Sequence, residues 1–253
     1  MHVIVLAAGL GTRFGGIKQL AAVGPNGEAI VDVLLARAAA CGYDDALVVI
    51  RREIHAEVVD HFATHPPALP SRYVHQSVPP GRDKPLGTAD AVLQCRAAID
   101  APFVVVNADD LYPQHAFALL TDHLSSSDEH GLVGFRLRHT VISDRPVSRA
   151  LLSIDETQHL VAIDERRAIE PATVSGDPWV SMNMWGFQPS IMEDLADAVA
   201  RFLALGAGDE VLLPDVAAEL AASGTRLRVI PCEEACIGIT YADDVPIVRD
   251  ALT

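Results

Sequence analysis

Apolar runs at residues 3–8 and 46–50, the stretch Arg72-Tyr73-Val74-His75-Gln76, and a run over 103–110 that ends in acidic residues punctuate the first half of the chain. All four are short and read as strands, and the first, second and fourth are rich in β-branched residues, which predicts that those are buried. The segments between them carry helical periodicity. Residues 30–41 form an alanine-rich helix that stops at Gly42. Residues 53–65 put Ile54, Val58 and Phe62 on one face and end at Pro66. A third helix runs over 88–98, with Thr88 as its cap, and a fourth starts at Pro113. Strands that are apolar on both faces, alternating with helices, predict a parallel sheet covered on both sides.

The second half has another texture. Residues 132–138, 149–155, 159–167 and 179–187 read as antiparallel or mixed strands. Helices are expected over 189–205 and 213–223, short strands over 226–232 and 236–240, and a closing helix after Asp243. The polar stretch 125–131 is a solvated connector, so one continuous sheet in a single domain over 1–253 is expected.

Ligands of open α/β sheets bind beyond the carboxyl ends of the strands. Three segments lie at such ends: 9–18, the loop after 72–76, and 107–112. The first is Gly9-Leu10-Gly11-Thr12-Arg13-Phe14-Gly15-Gly16, followed by Lys18. Glycines let backbone N–H groups approach an anion, and two cations add charge where phosphates would sit. Phe14 breaks the dinucleotide pattern, and Ile17 stands where the P-loop needs lysine. The third segment, Asn107-Ala108-Asp109-Asp110, sets paired carboxylates at the mouth of a buried strand. Such a pair is costly unless it meets a cation, and magnesium takes one or two carboxylates plus phosphate oxygens.

The remaining pattern, Gly9, Gly11, Thr12, Arg13 and Lys18 behind Leu6-Ala7-Ala8, resembles the signature of the sugar-phosphate nucleotidyltransferases. That family joins a nucleoside triphosphate to a sugar 1-phosphate and releases pyrophosphate. The resemblance implies an α/β fold of three layers, Rossmann-like, with a mixed, mainly parallel sheet of the nucleotide-diphospho-sugar transferase type. It implies a nucleotide-binding half over 1–125 and an acceptor-binding half over 126–253. It also implies Arg13, Lys18 and Asp109 as catalytic groups, with Mg2+ on Asp109. Nucleotide contacts would come from Ala8, Gly9, Gly11, Thr12, Gln76, Gly87 and Thr88, the last two inside a Leu86-Gly87-Thr88-Ala89 element. Glu165, Arg166, Asn183 and Trp185 would meet the sugar phosphate. Relatives carry a second metal aspartate near the C-terminus. Here Ile237 holds that position, and Asp243 is the nearest substitute.

Composition narrows the partners. A net charge of −15 argues against nucleic acid, which needs a basic face. No run of about 18 apolar residues marks a membrane span, and the start carries no secretory signal, so a cytoplasmic protein is expected. Cys41, Cys95, Cys232 and Cys236 sit in apolar contexts as reduced core thiols. A phosphate monoester is already ionised near neutral pH, so nucleotidyl transfer needs no general base. Other readings stay open: a cytidylyltransferase of polyol or alditol phosphates, a glycosyltransferase of similar fold, or a nucleotide-binding regulator. The base, the acceptor and the oligomeric state, a homo-oligomer among the options, are not fixed by these patterns.

Overall fold

The four strand segments of the first half are β1 (His2–Leu6), β2 (Asp45–Ile50), β3 (Ser71–His75) and β4 (Phe103–Asn107) in a computed structural model, which describes residues 1–9, 13–170, 174–206 and 208–252. They run parallel in the order β3-β2-β1-β4. Between and after them lie α1 (Ile30–Ala40), α2 (His55–Thr64), α3 (Thr88–Leu93), β5 (Asp110–Leu111) and α4 (Gln114–Ser126).

The second half adds β6 (His130–Arg136), β7 (Val147–Ile154), β8 (Leu160–Ile169), β9 (Trp179–Phe187) and β10 (Leu227–Cys232), with α5 (Ile191–Leu205) and α6 (Leu213–Ala222). A short β11 (Ile237–Gly238) and α7 (Asp244–Asp250) close the described chain. Strand β9 inserts antiparallel between β4 and β6, and β10 runs parallel to β6. The β7–β8 hairpin attaches through β7 to the first part of β9. The nine-stranded sheet is thus mixed and mainly parallel in its first half.

Alternation along the strands makes three layers. Val3, Val5 and Val48 turn to one face and pack with Leu34, Phe62 and Phe117 of α1, α2 and α4. Ile4, Leu47 and Val105 turn to the other and pack with Val92, Leu195 and Val216 of α3, α5 and α6. No described helix is long and apolar enough to cross a membrane. All four cysteines are free, and Cys95, Cys232 and Cys236 are buried.

Three local expectations change. The strand expected over 103–110 breaks after Asn107, because the Asn107 amide donates to the Asp110 carboxylate at 2.8 Å and turns the chain. Asp110–Leu111 then pairs antiparallel with Ile237–Gly238 instead. The helix expected over 88–98 ends at Leu93, with a 3-10 turn at Arg96–Ala98. Thr88 does not cap it. Gly87 holds the cap position, and the Thr88 hydroxyl accepts the Leu213 N–H at 2.9 Å, tying α3 to the start of α6.

Candidate active site

Three adjoining cavities open beyond the carboxyl end of β4, each lined in part by the 107–110 segment. The first, of about 380 Å3, lies at the carboxyl ends of β1, β3 and β4. Ala8, Gly9, Lys18, Gln76, Gly87, Thr88 and Asp109 all line it. Topology causes this convergence: parallel strands deliver their following loops to one edge. Gly87 has φ +105°, and a Cβ there would stand 2.6 Å from the Val211 carbonyl oxygen. The Gln76 amide group donates to the Gly87 carbonyl at 2.8 Å and to Asp90 at 3.3 Å. Its carbonyl oxygen is therefore left as an acceptor. Lys18 and Asp109, 91 residues apart, form an ion pair at the cavity wall, both partly buried.

The second cavity, of about 310 Å3, is walled by Asn107, Asp110, Arg149, Glu165, Ser181 and Asn183 among others. Register explains Asn183. Val105 pairs with Trp185, so the start of β9 runs past the end of β4. The Asn183 amide group donates to Asn107 Oδ1 at 2.7 Å, and Asn183 Oδ1 accepts the Trp185 indole N–H at 2.7 Å. Asn183 holds φ +59°, a left-handed conformation that asparagine tolerates better than most residues. Asp110 is buried against Asn107, and its carboxyl is pushed up to about 6, by burial first and then by the Asp109 charge. Burial and the Asp215 charge also push Glu165 up.

The third cavity, of about 160 Å3, is lined by Arg13, Arg145, Arg149, Tyr241 and Asp244 among others. It shares Asp110, Ser148 and Arg149 with the second cavity, which shares Thr88, Asn107 and Leu212 with the first. The first and third have no lining residue in common.

Several expected positions lie elsewhere. Arg13 borders the third cavity and not the first. Trp185 is fully buried and stacked on Phe187, so it is no aromatic wall and reaches the site only through Asn183. Glu165 and Arg166 are consecutive in β8, so their side chains leave opposite faces. Glu165 lines the second cavity, while exposed Arg166 pairs with Asp164 at 2.7 Å. Asp243 is exposed and lines none of the three cavities. The neighbouring Asp244 accepts the Thr240 and Tyr241 amides. Gly11 and Thr12 lie outside the described residues.

Sequence reasoning missed Arg145 and Arg149, which line the cavities, and left Lys84 of the first cavity without a role. The signal for Arg149 was a charged residue leading an otherwise apolar strand. Its Nε donates to Thr140 Oγ1 at 3.0 Å and its Nη2 to the Thr140 carbonyl at 2.5 Å. Burial lowers the Arg149 pKa, opposed by Asp110.

Among the described residues, no group of three His, Cys, Asp or Glu side chains forms a metal cage. A cation held by one carboxylate and a substrate's phosphates fits what Asp109 offers.

The layered mixed sheet, with Gly9, Lys18 and an acidic strand end around one cavity, defines an α/β protein with its candidate site at the carboxyl edge of the sheet. Residues 3–172 match the MobA-like NTP transferase domain. The chain belongs to that family, and it is a nucleotidyltransferase of this type. No curated protein matches it. Solved structures share the fold at low identity. A candidate glucose-1-phosphate thymidylyltransferase from Bacillus anthracis aligns with TM-score 0.77 and 14% identity, over 99% of this chain and 95% of that one. HddC from Yersinia pseudotuberculosis aligns with TM-score 0.68 and 16% identity, over 100% and 99%. The inositol-1-phosphate CTP transferase from T. maritima aligns with TM-score 0.71 and 13% identity, over 98% and 94%.

Proposed function

We propose that the protein transfers a nucleotidyl group from a nucleoside triphosphate to a sugar 1-phosphate or a related polyol phosphate, releasing pyrophosphate. The observation that carries this reading is the wall shared by the first two cavities, with the Lys18–Asp109 pair beside it. A donor in one cavity and an acceptor in the next would meet there. Solved structures that share this fold include ones named as a glucose-1-phosphate thymidylyltransferase and an inositol-1-phosphate CTP transferase, which supports the acceptor class.

An oxygen of the acceptor phosphate attacks the α-phosphorus, and the bond from that phosphorus to the β-phosphate oxygen breaks. The acceptor oxygen is already ionised at neutral pH, so the protein's task is alignment and charge stabilisation. Ala8 and Gly9 line the nucleotide cavity with main chain, and the Gln76 carbonyl oxygen accepts from a base donor. Lys18 counters charge on the phosphates. Asn183, Glu165 and Arg149 hold the acceptor. Asp109 is the residue that would hold magnesium, which when bound supplies positive charge to the triphosphate oxygens. The first half of the chain serves mainly the nucleotide and the second mainly the acceptor. The setting proposed is the cytoplasm.

Nucleoside triphosphates screened against sugar and polyol phosphates should show pyrophosphate release for at least one pair with Mg2+. Release of a nucleoside diphosphate from a nucleotide sugar, without pyrophosphate, would mean a glycosyltransferase. Triphosphate binding with no turnover against the whole panel would mean a regulator.

A further inference from the structure

The main-chain ladder between β4 and β9 ends at Val105 and Trp185. Past that rung Asn183 takes φ +59°, and the start of β9 pairs with β7 through Val180 and Ser181. Beyond the ladder, the Asn107 N–H of β4 and the Met182 carbonyl of β9 meet through a side chain. Tyr112 Oη accepts the Asn107 N–H at 3.1 Å and donates to the Met182 carbonyl at 2.6 Å. One phenol oxygen thereby supplies the acceptor and the donor that a further rung would supply. The Asp110 carboxylate is a more distant neighbour of that oxygen, at 3.3 Å.

The surroundings fix Tyr112 in this place. It is 1% exposed, and its ring packs edge-on to Phe117 and tilted against Phe135, with centroids 6.4 Å away in both cases. Arg37 donates to its main-chain carbonyl, and Leu111 beside it pairs with Ile237. The Ile239 N–H donates to the Asp109 carbonyl at 2.8 Å, which holds the same turn from its other side. Burial first, and then the Asp110 charge, raise the phenol pKa well above the ordinary tyrosine value, so the group stays a hydroxyl that both donates and accepts.

The two groups it joins lead directly to the two half sites. Asp109, on the wall of the first cavity, follows Asn107 by two residues. Asn183, on the wall of the second, is the next residue after Met182. Tyr112 itself lines neither cavity.

We propose that Tyr112 is a positioning residue whose hydroxyl sets the spacing between the Asp109 turn and Asn183, and with it the alignment of the donor and acceptor phosphates. This rests on nucleotidyl transfer as the activity. A spacing error leaves each half site complete, so it lowers rate more than affinity, and a misplacement of about 1 Å can cost on the order of 10²-fold.

Two phenylalanine variants test it side by side. Tyr112→Phe keeps the ring and removes the rung. Tyr43→Phe removes another hydroxyl of the same core, one that donates to the Phe117 carbonyl at 3.4 Å and lines none of the three cavities. Pyrophosphate release is followed with donor and acceptor varied in turn, and urea midpoints are measured in parallel. In Tyr112→Phe, kcat should fall about tenfold to a hundredfold while both KM values stay near wild type. Tyr43→Phe should leave kcat unchanged, whatever its urea midpoint. With 4-aminophenylalanine at position 112, the donor to Met182 is kept and the acceptor for Asn107 is given up. Its kcat should also fall at unchanged KM, and it carries the comparison where Tyr112→Phe does not fold. Wild-type kcat in the folded position-112 proteins overturns the inference and leaves transfer standing. So does a fall in kcat that Tyr43→Phe matches, or an effect confined to KM. A wild-type protein that releases no pyrophosphate with any pair of substrates fails the transfer reading, and the inference with it.

Discussion

Asn183 donates from its side-chain amide to Asn107 Oδ1 at 2.7 Å, joining the start of β9 to the end of β4. The contact spans 76 residues of chain and sits on the wall of the second cavity. Behind it, Asn183 accepts the buried Trp185 indole N–H, and Asn107 donates to Asp110. A line of four side chains therefore runs from the core to the candidate acceptor site.

Removing the middle of that line should be felt twice. Asn183→Ala leaves the Trp185 N–H without its acceptor, at a cost of about 1–3 kcal/mol. It should also raise KM for the acceptor more than it lowers kcat. Asn183→Asp keeps an acceptor for Trp185 but loses the donor to Asn107. Urea unfolding together with steady-state kinetics checks both, and an unchanged acceptor KM in both variants would remove Asn183 from the site.

Lys18 and Asp109 should behave as a charge pair tuned for phosphates. Lys18→Ala is expected to lower turnover ~10²-fold, the scale of losing one preorganised donor. Asp109→Asn should lose activity that excess magnesium only partly restores. A magnesium titration of both variants reads this, and an unaltered metal dependence in Asp109→Asn counts against its role.

Gly87→Ala should destabilise the fold and weaken nucleotide binding. Its φ of +105° strains an alanine, and the new Cβ would meet the Val211 carbonyl oxygen at 2.6 Å and its nitrogen at 3.0 Å. Strain of this kind costs on the order of 1–3 kcal/mol. The α3 start and the 210–212 segment would have to part, moving one wall of the first cavity. A thermal melt with and without triphosphate measures both effects.

His130 should make the fold sensitive to mild acid. Its ring is buried edge-on to Phe187, and its Nδ1 accepts the Gln188 N–H at 3.2 Å, which requires the neutral form. Burial holds its pKa below the usual 6.5; Asp194 attracts the charged form and His123 repels it. A depressed histidine stabilises the fold above the unfolded value and loses that contribution as pH falls through the folded one. Stability should therefore decline below about pH 6.5, and His130→Gln should flatten the decline, read from urea midpoints between pH 7.5 and 5.

Much of the fold was legible because local signals agreed. Apolar runs on strands buried from both sides, and helices bounded by Gly42 or Pro66, leave little choice of element. That these positions share one cavity was legible too, since Ala8, Gly9, Lys18, Gln76, Gly87, Thr88 and Asp109 sit at or near strand ends that topology gathers. Arg166, Trp185 and Asp243 were misjudged for a common reason. A pattern names a residue but not the face it leaves by. Alternation in β8 turned Arg166 outward, packing against Phe187 drew Trp185 inward, and the 240–241 amides took Asp244 while Asp243 faced solvent.

The sequence by itself determined which segments are strands and helices, that the first-half strands run parallel, and which edge of the sheet carries the chemistry. These follow from periodicity and from short-range stereochemistry. Only the tertiary structure set Arg13 on a cavity wall with Arg145 and Arg149 and apart from the first cavity. It alone joined Asn107 to Asn183 and Lys18 to Asp109. These pairings depend on strand order and on the antiparallel insertion of β9, which non-local packing selects and no stretch of chain encodes alone.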